Sequence, residues 1–173
     1  MTTHPRSGDV LIRPATDADF DALVDLDLAS ARHHAGLDPA LLQVPDREPV
    51  AAFLARRLTN PGRRILVAVV DGRVVGMVDI TMVDPPHDGS IYRPVPTADL
   101  GITVIESHRG RGVGQALMAA AEHDARSRGA RRIILDVLAA NDGARRFYDR
   151  LGYSEQALVL GRDLAPEPVP SDE

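Results

Sequence analysis

The sequence predicts an α/β (α+β) fold: a mixed sheet of about six strands with helices on both faces. Three observations carry this. Short runs rich in Val and Ile recur between helical patterns. The first strands are linked by a hairpin signal, Asp71-Gly72. The later strands are separated by helical segments, the pattern of parallel crossovers.

The elements follow in order. Val10-Leu11-Ile12-Arg13 reads as a first strand, ended by Pro14-Ala15-Thr16. Thr16 or Asp17 can cap a helix, with Asp19 in its first turn, where acidic side chains are favoured. Phe20, Leu23, Val24, Leu26 and Leu28 then recur at helical spacing. The segment from Arg32 to Arg47, with Gly36, Pro39 and Pro45, reads as loop or broken helix. A second helix spans Val50 to Leu58 and stops at Asn60-Pro61-Gly62. Strands at Ile65–Val70 and Arg73–Met82 flank the hairpin turn. Val83 to Thr97 carries four prolines and reads as a loop. A strand from about Asp99 to Ile105 leads through a glycine-rich turn into a helix. Its inward stripe is Val113, Leu117, Ala120 and Ala121, and Gly129 ends it. The apolar run Ile133–Leu138 suits a strand covered on both faces. A short helix at Asp142–Leu151 and a final strand at Tyr153–Leu164 complete a single expected domain, residues 1–164. Residues 165–173, acidic with three prolines, read as a disordered tail.

Composition narrows the chemistry. At 173 residues and 44% apolar, the chain suits one packed core. No apolar run approaches the ~20 residues of a membrane helix, and no signal segment is evident, so a cytoplasmic protein is expected. The absence of cysteine removes disulfides, cysteine nucleophiles and thiolate metal sites, and no metal site is expected. All 20 basic residues are arginine, which removes any lysine-dependent phosphate loop or base. A net charge of −5 argues against broad attraction to nucleic acid.

The stretch His108-Arg109-Gly110-Arg111-Gly112-Val113-Gly114 joins a strand to a helix. Such a turn exposes backbone N–H groups at the positive helix end, a ready anion site. A Walker loop requires a lysine that this chain lacks. A dinucleotide fingerprint requires a third glycine three residues after Gly112, and none stands there. The pyrophosphate loop Arg/Gln-x-x-Gly-x-Gly/Ala is matched at each fixed position by Arg109–Gly114.

With this loop, two further stretches resemble the GNAT superfamily of acetyl-CoA-dependent N-acyltransferases. They are Val70-Asp71-Gly72-Arg73-Val74-Val75-Gly76 and the run from Asn141 through Phe147-Tyr148 to Leu151-Gly152-Tyr153. The resemblance covers roughly Val10 to Leu160. It implies a sheet splayed between its fourth and fifth strands, with CoA in the cleft. It implies that the loop residues Arg109, Gly110, Arg111, Gly112, Val113, Gly114 and Gln115 cradle the pyrophosphate. It implies that backbone groups of Ile102, Thr103 and Val104 bond the pantetheine arm and polarise the thioester carbonyl. Asn141 would contact the pantetheine, and it is equally a good helix N-cap. Tyr148 would give a proton to the departing thiolate; otherwise it is a packing aromatic beside Phe147.

The general base is left open among Asp79, Asp99, Glu106, His108 and water; each side chain is also an ordinary surface charge. His33 and His34 are candidate pocket lining, as are His87, Asp88, Tyr92 and Arg93 in the proline-rich loop. The expected reaction is direct acetyl transfer to an amine of a small molecule or of a peptide or protein N-terminus. The alternatives are a CoA-binding module without catalysis and a toxin acetylating charged tRNA. A homodimer is the expected assembly.

Overall fold

A computed structural model describes residues 8–162. The chain divides into two compact units, Met1–Ala140 and Asn141–Glu173. The first unit holds a five-stranded sheet in the order β1 (Leu11–Pro14), β2 (Arg63–Val70), β3 (Arg73–Val83), β4 (Thr97–Val104), β5 (Arg132–Ile134). The first four strands are antiparallel neighbours, and β5 lies parallel to β4. The hairpin between β2 and β3 turns on Asp71 (φ 48°) and Gly72 (φ 76°), the two left-handed residues that a tight primed turn requires.

Helices cover both faces. Helices α1 (Phe20–Leu37) and α2 (Arg47–Leu58) bury Leu23, Val24, Leu26, Val50 and Leu54 against Ile65, Val67 and Met77. On the other face lies α3 (Val113–Ser127), with Val113, Leu117, Met118, Ala121 and Ala125 buried. Gly76 of β3 lies directly beneath α3. A Cβ there would meet Thr103 O at 2.9 Å and Leu117 Cδ1 at 3.1 Å, so only glycine allows this approach.

Thr16 opens the α1 segment through a capping box with Asp19, which also accepts a bidentate pair from Arg13 at 2.6 and 2.8 Å. Burial opposes the charge on Asp19, but Arg13 outweighs it and holds the carboxyl far below the usual range.

Three sequence expectations are corrected. The Arg32–Arg47 segment is not wholly loop: α1 runs unbroken to Leu37. Gly36 costs too little to end a helix already anchored by its buried stripe. The run Ile133–Leu138 forms only a three-residue strand. Had the pairing continued, Asp136 would stand opposite Gly101 and diagonal to Asp99, and facing like charges oppose such pairing. The final strand, expected at Tyr153–Leu164, does not form among the described residues. Residues 153–162 join no ladder, and Leu158, Val159 and Leu160 are exposed. Apolar character without a pairing partner does not make a strand. The sheet of about six strands therefore has five among the described residues. Residues 163–173, which include the expected tail, lie outside them.

The second unit holds α4 (Asp142–Arg150). Asn141 caps it, its Oδ1 accepting from Ala144 N at 3.0 Å. The ring of Tyr148 meets Phe147 and Tyr153 edge-on, with centroids 5.2 and 5.8 Å away.

Candidate active site

The glycine-rich loop delivers the chain into the first turn of α3. Gly110 (φ 69°) and Gly112 (φ 81°) are left-handed, and a Cβ at either would meet open space. Gly112 is the N-cap, and no side chain caps the helix. The first bond within the helix is Ala116 N–H to Gly112 O at 3.0 Å. The N–H groups of Val113, Gly114 and Gln115 precede it, so they remain as donors at the positive helix end. Arg109 donates Nε–H to Val104 O at 3.0 Å, which anchors its guanidinium beside this end, and Arg111 is exposed on the rim. These groups fit a diphosphate: open backbone donors, two guanidiniums and room at both glycines.

β4 supplies the second feature. It pairs with β5 only through Thr97, Ala98 and Asp99. Ile105 N–H bonds Val75 O at 3.0 Å, which fixes the alternation of the β3–β4 ladder. Residues 99, 101 and 103 therefore turn their backbone groups toward β3. Ile102 and Val104 turn theirs to the other side, where no strand pairs with them among the described residues. The expected opening between the fourth and fifth strands is present.

A charged recess lies on the α1–α2 face of the sheet, where β4 and β5 part. It is a cavity of ≈ 240 Å³ lined by Arg57, Arg63, Asp79, Thr81, Asp99, Gly101 and Asp136. Strand register explains the grouping. Arg63, Thr81 and Asp99 form one cross-strand row, and Asp79 and Gly101 the next. Arg57 reaches in from α2. It pairs with Asp27 at 3.3 Å and with Asp79, while Arg63 Nε lies 3.1 Å from Asp79 and 2.8 Å from Thr81 Oγ1. Asp79 is 4% exposed and held between two guanidiniums. Such a doubly paired, buried carboxylate anchors α2 and β2 to β3.

Asp99 differs. Burial raises its pKa, and Asp136 and Asp79 raise it further, against a smaller opposing pull from Arg63. Glu106 and His108 lie apart from the recess, on a single 3₁₀ turn (Glu106–His108) before the loop, where Ser107 Oγ contacts His108 Nδ1 at 3.0 Å. His33 and His34 sit on α1. Burial lowers the His33 pKa, and Arg109 and His34 lower it further, which favours the neutral ring. His87, Asp88, Tyr92 and Arg93 lie in the loop before β4 and do not line the recess. In the second unit, burial pushes the Tyr148 phenol up to about 12, so it is protonated throughout the physiological range.

The sequence matches the acetyltransferase (GNAT) family across residues 28–153. The chain belongs to this family. It is accordingly an acetyl-CoA-dependent acyltransferase. Aminoglycoside N(6')-acetyltransferase type 1 of Klebsiella aerogenes is 29% identical over 110 residues, covering 64% of this chain and 71% of that one. Among solved structures, a mutant BH1408 protein of Bacillus halodurans shares the fold with a TM-score of 0.82 and 22% identity. The match covers 90% of this chain and 99% of that one. The aminoglycoside N-acetyltransferase AAC(6')-Iy, in complex with CoA, shares it with a TM-score of 0.68 and 22% identity, over 94% and 100% of the two chains.

For this GNAT chain, the sequence motifs reached the loop and β4 but missed Arg57, Arg63, Thr81 and Asp136. A signal existed for Asp136, a lone charge inside the run Ile133–Leu138. Nothing in the sequence marks Arg57, which α2 brings to the sheet from 22 residues away from Asp79. No cluster of His, Asp or Glu that could hold a metal occurs among the described residues. None of their helices is long and apolar enough to cross a membrane.

Proposed function

We propose that the protein transfers the acetyl group of acetyl-CoA to an amine by direct attack in a ternary complex. The acceptor is an amine of a small molecule or of a peptide or protein N-terminus. The observation that carries this reading is the juxtaposition of the uncapped α3 N-terminus with the unpaired edge of β4. One offers donors to a diphosphate, and the other offers a strand edge along which an extended thiol arm can lie. From Gly101 to Ile105 the strand advances about 13 Å, so the loop and the recess stand at opposite ends of one groove.

Bound acetyl-CoA supplies the activated thioester. The N–H groups of Val113, Gly114 and Gln115, with Arg109 and Arg111, hold its phosphates. The Ile102 and Val104 N–H groups bond the arm and the carbonyl oxygen, stabilising the charge that develops there. Tyr148 carries the proton for the departing sulfur, a role supported by the family resemblance and by its protonated state. The Asn141 Oδ1 is spent on the α4 cap, which leaves its NH₂ group available for a contact with the arm. The aminoglycoside named for the Klebsiella relative is one amine of the proposed class.

The test is thiol release from acetyl-CoA against amino sugars, polyamines, amino acids and peptides, with the acetylated product identified by mass. Release that requires an amine and yields its N-acetyl derivative supports the reading. CoA binding with no transfer to any amine would leave a binding module instead.

A further inference from the structure

The charges around the recess do not balance. Every ionisable group facing the recess can be assigned. Arg57 comes from α2, Arg63 from β2, Asp79 from β3, Asp99 from β4 and Asp136 from the segment after β5, with Asp27 of α1 behind Arg57. Arg57 pairs with Asp27 and Asp79, and Arg63 meets Asp79 through Nε while attracting Asp99 from the same cross-strand row. Asp99 and Asp136 form no ion pair with any described residue. They share the sheet face that looks toward α1 and α2, two residues apart along the diverging strands. The row between them ends in Gly101, where a Cβ would meet open space. A ligand can therefore approach the β4 backbone between the two carboxylates.

We propose that Asp99 and Asp136 select an acceptor carrying two positive charges, such as a diamine or an amino sugar, and that Asp99 takes the proton of the reacting ammonium. This rests on the acetyl-transfer reading above and adds the substrate class. A dication neutralises both free carboxylates. An amino acid or aminophosphonate would place its anion in a recess around which four carboxylates outnumber two guanidiniums. The raised proton affinity of Asp99 suits a base that must take a proton from an ammonium.

The ammonium gives one proton to Asp99, and its nitrogen lone pair bonds the thioester carbonyl carbon. The C–S bond breaks with its electron pair on sulfur, which takes a proton. The nitrogen sheds its second proton, so one proton in total passes to solvent. In this arrangement Asp99 is the catalytic base. Asp136 binds the second cation and, by its charge, keeps the proton affinity of Asp99 high.

The test compares putrescine, butylamine, aminobutyrate and aminopropylphosphonate as acceptors for the wild type and Asp136→Asn, with CoA binding measured by calorimetry on both. For the wild type, kcat/KM for putrescine should exceed that for butylamine by about tenfold, and that for either anionic amine by more. In D136N the putrescine-to-butylamine ratio should fall about tenfold, and the acidic limb of the pH profile should move to lower pH. CoA affinity should not change. Equal rates for the four amines, preference for an anionic one, no transfer to putrescine by a protein that binds CoA, or an unmoved ratio in D136N would each overturn the acceptor assignment. Wild-type protein that fails to bind CoA would instead overturn acetyl transfer itself.

Discussion

Gly112→Ala separates the cost of folding the loop from the cost of filling it. Gly112 sits at φ 81° as the N-cap of α3, and a Cβ there meets nothing within 4 Å. The substitution therefore costs only left-handed strain, about 1–2 kcal/mol. For a chain of this size that lowers Tm by roughly 2–8 °C. If the loop closes on a diphosphate, the same methyl group enters the space its oxygens need, and CoA affinity should fall at least about tenfold, or ~1.4 kcal/mol. Gly129→Ala is the matched control. Gly129 is also left-handed (φ 91°), also meets open space, and lies beyond the other end of α3. It should lose comparable thermal stability and no CoA affinity. Thermal unfolding and calorimetry on the two variants read both quantities. Wild-type CoA affinity in G112A, or equal losses of affinity in both variants, would refute the assignment of the loop.

Tyr148→Phe should lower kcat at least about tenfold, with CoA affinity retained; full turnover would sink the proton-donor role. Arg57→Met removes one of the two guanidiniums holding buried Asp79. Breaking a buried pair costs about 3–5 kcal/mol, and since Arg63 remains, the lower end applies, a fall in Tm of roughly 6–12 °C; a change within error would show that Arg63 alone suffices. Asp19→Asn tests the Arg13 pair by its pH dependence. The Asp19 pKa is depressed on folding, so the pair stabilises fully above the unfolded carboxylate value, near 3.9, and its contribution is lost as pH falls through the lower folded value. The gap in stability between wild type and variant should be widest near neutrality and narrow below about pH 4; a gap independent of pH would contradict the charge-based account.

Local signals carried most of the fold. Asp71-Gly72 specified the hairpin because few residues tolerate two left-handed positions, and Asn141 was legible as a cap because its short amide reaches the third N–H beyond it. The Arg109–Gly114 motif was legible for the same reason: its function needs backbone, so its glycines show in the sequence. What stayed hidden depends on distant partners. The apolar residues 133–138 and 157–160 look like strands, but a ladder needs a neighbour, and the first stops at Ile134 while the second finds none among the described residues. Asp79 and Asp99 look alike in sequence, each an acid in an apolar strand. Only register and the approach of Arg57 make one an anchor and leave the other free. Asp136 was hidden because its meaning comes from the divergence of two strands, which no local pattern encodes.

The central claim is that the α3 loop and the β4 edge form a donor groove that delivers an acetyl group to an amine. The most direct measurement is product analysis of a single reaction of purified protein, acetyl-CoA and putrescine, with free thiol and N-acetyl amine counted together. The account predicts one N-acetylputrescine for each thiol released, and no release without the amine. Thiol released without an acetylated amine, or no CoA bound at all, would contradict it.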